Sequence, residues 1–120
     1  MTPAEVLRRE QSKAERRVLE DRLGLHLRAH HVQHTREFTL PGRHFRWDFA
    51  FPEARLLVEV HGGIWRAKGA HNTGGAIERD AEKGAYAAGL GWRSFAVTGG
   101  QIGSGKAFEW IKTALGAAAC

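Results

Sequence analysis

Apolar residues recur along this chain with two different periods, and the changes from one to the other mark out its elements. A period of two runs through residues 45–51 and 56–61, as in strands whose two faces meet different surroundings. In the first run Phe45, Trp47, Phe49 and Phe51 are predicted to share one face, which leaves Arg46, Asp48 and Ala50 on the other. In the second, Leu56, Val58 and Val60 take the core face, opposite Leu57, Glu59 and His61. The link Phe51-Pro52-Glu53-Ala54 is short enough to join the two as a hairpin. A further strand is expected over residues 36–40, closed by the turn Pro41-Gly42-Arg43, and another over residues 92–98.

Helical spacing appears in three places. Residues 3–23 start at Thr2-Pro3 and stop at Gly24, and the capping-box pattern Ser12-Lys13-Ala14-Glu15 marks a break near Ser12. Glu15, Val18, Leu19 and Arg22 share its expected inner side, with Arg9, Lys13, Arg16 and Arg17 as a basic margin. Residues 76–88 carry a small-residue stripe of Ile77, Ala81, Gly84, Ala85 and Ala88, and residues 106–115 place Phe108, Ile111 and Leu115 inward. Trp92 and Trp110 fall in apolar patterns and are expected in the core, whereas residues 25–34, 64–75 and 99–105 read as loops. The order helix, three strands, helix, strand, helix implies an α/β fold, a mixed four-stranded sheet flanked by helices. The helix between the third and fourth strands makes that pair parallel. A length of 120 residues fits one domain over 1–120, with the N-terminal helix 3–23 and a core over 35–115.

Against this pattern, Asp48 and Glu59 stand out as single acids inside apolar runs, with His61 two positions beyond the second. If the hairpin forms, two carboxylates and an imidazole meet on one patch of sheet, a donor set suited to a divalent cation. The competing reading is an ordinary cross-strand pairing of these acids with Arg46 and Arg43. The formal net charge of +5, mostly from arginine, favours a polyanionic partner. The one cysteine, Cys120, excludes an intrachain disulfide and a cysteine zinc cluster. No apolar run approaches the roughly 20 residues of a membrane span, and the charged N-terminus is unlike a signal peptide. A soluble, cytoplasmic protein is expected, either a monomer or a homodimer.

Taken together, Asp48-Phe49-Ala50, ten intervening residues (49–58), and Glu59-Val60-His61-Gly62-Gly63 resemble the PD-(D/E)XK nuclease superfamily, with His61 where the pattern has lysine. Ser12-x-x-Glu15, Arg43, Arg46, Trp65, His71, Asp80-x-x-Lys83 and Gly91-Trp92-Arg93 extend the resemblance toward very-short-patch-repair endonucleases and related phage nucleases, over about residues 12–115. The resemblance implies a restriction-endonuclease-like fold and a metal-dependent endonuclease acting on DNA. It implies that Asp48 and Glu59 bind Mg²⁺, with Mn²⁺ as the alternative ion, and that Glu15 is the candidate third carboxylate. His61 is then the candidate for handling water and charge, Lys83 for the missing ammonium, and Asp80 for orienting His61 or His71. Arg43, Arg46, Trp65, Arg66, Lys68, His71 and Arg79 are candidate DNA contacts, the loop residues among them combining stacking with phosphate binding. Two alternatives share the fold: a structure-specific nuclease resembling a junction resolvase, and a DNA-binding module without turnover. For Asp80 and Lys83 a plain helical pair on a solvated face also stands open.

Two further patterns point elsewhere. The run from Gly100 to Lys106 follows a strand and precedes a helix, as a phosphate-binding loop does, but Ala107 stands where a magnesium-binding hydroxyl is required. His26, His30, His31 and His34 have the spacing of a helical zinc site, yet no continuous helix is evident there and they read as solvated loop.

Overall fold

The computed structural model describes residues 1–61 and 74–119. The first element, α1, spans Pro3–Ala29. Thr2 and Glu5 form its capping box, each side chain bonding the other's backbone N–H at 3.0–3.1 Å. Ser12 and Glu15 are therefore interior positions, and the helix does not break there. Nor does it stop at Gly24. A Cβ on that residue would stand 3.4 Å from the guanidinium groups of Arg28 and Arg36 and 3.8 Å from Phe49, so the missing side chain lets the sheet approach. The helix ends five residues later, where Val32 N–H donates to the Leu27 carbonyl at 2.9 Å and His31 takes a left-handed φ of 57°. This is a Schellman-type ending with histidine in the place usually held by glycine.

The strands are β1 (Thr35–Thr39), β2 (Arg46–Phe51), β3 (Leu56–His61) and β4 (Arg93–Thr98), and they lie in that order in one sheet. A single 3-10 turn at Pro52–Ala54 joins β2 to β3, with Arg55 left-handed at its exit. The first two pairings are antiparallel and β3–β4 is parallel, as the intervening helix α2 (Gly74–Gly89) requires. The expected mixed sheet flanked by helices is the fold observed. Two helices follow β4: α3 (Gly99–Gly103) and α4 (Lys106–Ala119). The first occupies the glycine-rich stretch expected to be a loop, and a second capping box, Thr98 with Gln101, starts it.

Both faces of the sheet are buried. On one, Phe49, Phe51, Leu56, Val58 and Val60 pack with Leu23 and Leu27 of α1, Ile102 of α3, and Phe108 and Ile111 of α4. Full burial of each such side chain contributes roughly 1.5–3 kcal/mol before ordering costs. On the other, Trp47, Ala50 and Leu57 meet Ala87 of α2, with Phe38, Phe45, Tyr86 and Trp92 at the margin. The inner positions of α2 are thus Lys83, Tyr86 and Ala87, not the predicted stripe, and Ile77 is exposed. Trp110 of α4 is also exposed, whereas Trp92 packs as expected. In α1 the buried positions are Glu20, Leu23, Gly24 and Leu27, so Val18 and Arg22 face solvent.

The predicted sharing of one face by Phe45, Trp47, Phe49 and Phe51 is corrected in the middle of β2. Arg36 of β1 pairs with Phe49 and lies over its ring at 5.2 Å, on the α1 side. Two residues on, Phe38 pairs with Trp47 and packs against Trp92, on the α2 side. Between them Glu37 has a φ of 52°, a conformation that costs a non-glycine residue on the order of 1–2 kcal/mol. The alternation reverses at Glu37 and at Asp48, the residue the register places opposite it.

Candidate active site

That reversal positions the acid at the centre of the candidate site. Asp48 lies one residue beyond the last regular β2–β3 pair, Phe49 with Val58, and its Oδ2 accepts the Val60 N–H at 2.7 Å. An acid that replaces a carbonyl in the ladder is held without rotamer freedom, while its second oxygen is left for other partners. Glu20 of α1, 9% exposed, lies within electrostatic reach. Burial, first, and the negative charge of Asp48, second, push the Glu20 carboxyl above its usual range, against the opposing pull of Arg16 and Arg36. Arg36 reaches Glu20 Oε1 at 3.4 Å and Asp21 at 3.0 Å, and Arg16 reaches Glu20 Oε2 at 3.6 Å.

Glu59 occupies the α2 side. Register places it on the face of Leu57, and its carboxylate is bonded to Nζ of Lys83, which also donates to the Arg46 carbonyl. The ammonium stands 4.9 Å from the centroid of Trp47, in the range of a cation–π contact. Lys83 therefore reaches the sheet from α2 rather than forming a solvated helical pair with Asp80, which is exposed. His61 ends β3, exposed and paired in register with Thr98 of β4.

The arginines expected to neutralise the two acids are engaged elsewhere. Arg43 bonds Glu82 at 3.0 Å and lies over the rings of Phe45 and Tyr86, and Arg46 approaches Glu37 at 3.9 Å. Arg79 is exposed on α2. Glu15 is half-buried on α1, about 140° round the helix from Glu20. Trp65, Arg66, Lys68 and His71 lie outside the described residues. Among the described residues no three acid, histidine or cysteine side chains form a ready-made metal cluster. The acids are instead divided, Asp48 with Glu20 toward α1 and Glu59 with Lys83 toward α2.

Sequence reasoning missed Glu20 and Arg36. The signal for Glu20 lay in helical phase, since it stands three and seven residues before Leu23 and Leu27, the side chains that α1 buries. The histidine run also changes meaning, because α1 is continuous through His26. The ring of His26 stacks on Phe108 at 4.3 Å and that of His30 meets it tilted at 4.6 Å, so the two cover the core's edge.

No protein-family model matches this sequence, and no curated protein matches it significantly. Among solved structures, the catalytic domain of the homing endonuclease I-Bth0305I superposes with a TM-score of 0.65 and 16% identity, covering 83% of this chain and 95% of that domain. The two share a fold. Among the described residues no helix is long and apolar enough to cross a membrane.

The raised Glu20 carboxyl has a consequence for stability. A carboxyl whose folded-state pKa exceeds its unfolded value binds more protons when folded, so stability falls as pH rises from the ordinary glutamate value of 4.5 through the folded-state value. In EDTA, Glu20→Gln is expected to flatten that fall and to melt higher than wild type near neutral pH. Thermal melts across the acid-to-neutral range check this, and parallel curves for the two proteins would refute it.

Proposed function

We propose that this protein is a metal-dependent DNA endonuclease that hydrolyses phosphodiester bonds. The observation that carries the reading is the anchored Asp48 carboxylate, with the buried acid Glu20 within its electrostatic reach, at one pole of a sheet whose fold is shared with a homing-endonuclease catalytic domain. Asp48 keeps one carboxylate oxygen beyond the Val60 N–H bond, and Glu20, paired with Arg16 and Arg36, lies within its electrostatic reach, so hard oxygen donors of the kind that suit Mg²⁺ or Mn²⁺ are present. Asp48 would hold the ion, with Glu20 or Glu59 as the second carboxylate. Bound there, Mg²⁺ would neutralise charge developing on the phosphate and lower the pKa of a coordinated water.

The remaining roles belong to the chain itself. Lys83, bonded to Glu59 and to the Arg46 carbonyl, holds a positive charge on the α2 side of the strand that bears Asp48 and would supply the ammonium that the resemblance lacks at His61. His61, exposed at the strand end, offers an imidazole able to take or give a proton near neutral pH. The net charge of +5 favours approach of a polyanion.

Supercoiled plasmid incubated with the protein is expected to be nicked in Mg²⁺ or Mn²⁺ and to stay intact in EDTA. Nicking that persists in EDTA would refute the metal requirement. Intact plasmid under every ion would refute the endonuclease.

A further inference from the structure

The face that α1 lays on the core continues past the point where the core ends. Leu27, Leu23 and Glu20 are buried on it, and steps of four and three residues carry the same face back to Arg16, Lys13 and Arg9. One helical stripe is therefore apolar over the sheet and cationic beyond it. A helix of 27 residues is about 40 Å long, whereas strands of five or six residues span roughly 17–20 Å. About half of α1 must overhang, and burial shows which half: from Met1 to Val18 every side chain is exposed except Ser12 and Glu15, which are half-buried.

The overhang leaves the sheet at the pole that carries the candidate site. Glu20, where burial on the stripe begins, lies near Asp48, and a Cβ on Gly99, the residue after β4, would stand 3.0 Å from Leu19. Among the described residues Arg9 and Lys13 have no acidic partner, while Arg16 reaches back to Glu20. A row of exposed cations that continues the buried face of the helix past the core is suited to an anionic partner at this pole.

We infer that this stripe is a rail for a DNA backbone, with Arg9, Lys13 and Arg16 taking phosphates of the duplex that enters the site. The inference rests on the nuclease reading above and adds how the substrate is gripped. Arg9 to Arg16 covers about 10 Å of helix, a length matching roughly three phosphates at 3.4 Å of duplex axis per strand. Arginine brings bidentate contacts to such oxygens.

The test uses random-sequence duplex DNA, the full chain and EDTA, so that binding is read without cleavage. Fluorescence anisotropy is followed from about 50 to 200 mM salt, a range over which phosphate contacts dominate the change in affinity. Arg9→Gln/Lys13→Gln removes two rail charges and keeps good helix formers on an exposed surface. Arg16 is left in place because it also holds Glu20. At about 0.9 per phosphate, the slope of log affinity against log salt should become shallower by about 1.8. Arg8→Gln/Arg22→Gln removes equal charge from another side of the helix and should leave the slope near that of wild type. Equal slopes for the two variants, or a rail variant indistinguishable from wild type, would overturn the rail while leaving the nuclease reading intact. A wild type that neither binds nor nicks DNA would overturn both.

Discussion

Asp48→Asn is expected to lower plasmid nicking by about 10³-fold or more, the order reached when a group that stabilises transition-state charge is removed, with the fold retained. The substitution separates two duties of one side chain. Asn keeps an oxygen that can accept the Val60 N–H, so the bond that replaces a ladder contact in the sheet survives. It removes the negative charge, and with it both the attraction for a dication and the second cause of the raised Glu20 carboxyl. A lower titration point for Glu20, read by NMR, should therefore accompany the loss of nicking. Asp48→Ala is the contrasting variant. It strands the Val60 N–H inside the sheet and should cost about 1–3 kcal/mol of stability in addition to activity. Single-turnover assays on both variants, with thermal melts, check the pair of outcomes. An Asn variant that nicks at the wild-type rate would remove Asp48 from the chemistry.

The strands and their pairing were legible because period-two alternation is a direct consequence of pleating, and both acid-bearing runs form strands that pair as a hairpin, although the faces of the first reverse at Asp48. What escaped was local backbone geometry that side-chain pattern does not encode. The left-handed Glu37 reverses β1 and β2 in mid-strand, and no residue type near it advertises a bend. The end of α1 was hidden for a similar reason, since histidine at position 31 fills a role that glycine usually signals. Gly24 gave the opposite error, because it serves close packing against Phe49 inside the helix. The Thr2–Glu5 and Thr98–Gln101 boxes were readable motifs, and the first was outcompeted by the similar string at Ser12–Glu15.

For the candidate site, the hairpin was expected to aim Asp48 and Glu59 into one patch. The structure brings the two acids to one pole of the sheet but gives them different partners, a backbone N–H and Glu20 for one, Lys83 for the other. Lys83 could be proposed from sequence because the resemblance lacked an ammonium at His61. Its actual contacts depend on the angle at which α2 crosses the sheet, a tertiary property. Glu20 sits beside Arg16 and Asp21 in a charged stretch, so composition alone gave it no distinction from a solvated acid.

Lys83→Met should combine a structural with a functional loss, and a second substitution can part them. The Lys83 side chain is 14% exposed and that of Glu59 27%, so removing the ammonium leaves a largely desolvated carboxylate and the Arg46 carbonyl without their donor. Breaking such a pair costs about 2 kcal/mol at this degree of burial, below the 3–5 kcal/mol of fully buried ones. For a domain of this size that lowers the melting temperature by roughly 6–10 °C. Lys83→Met/Glu59→Gln no longer strands a charge and should regain most of that stability, giving a coupling of about 1–2 kcal/mol in a double-mutant cycle. Nicking should stay depressed by about 10²–10⁴-fold in both proteins if the ammonium handles charge or protons in the reaction. Because Glu59 is itself a candidate metal ligand, the double variant reports on stability, and nicking by Lys83→Met at a temperature where it is folded reports on the ammonium. Wild-type nicking by folded Lys83→Met would reduce Lys83 to a packing role and return the handling of charge to His61.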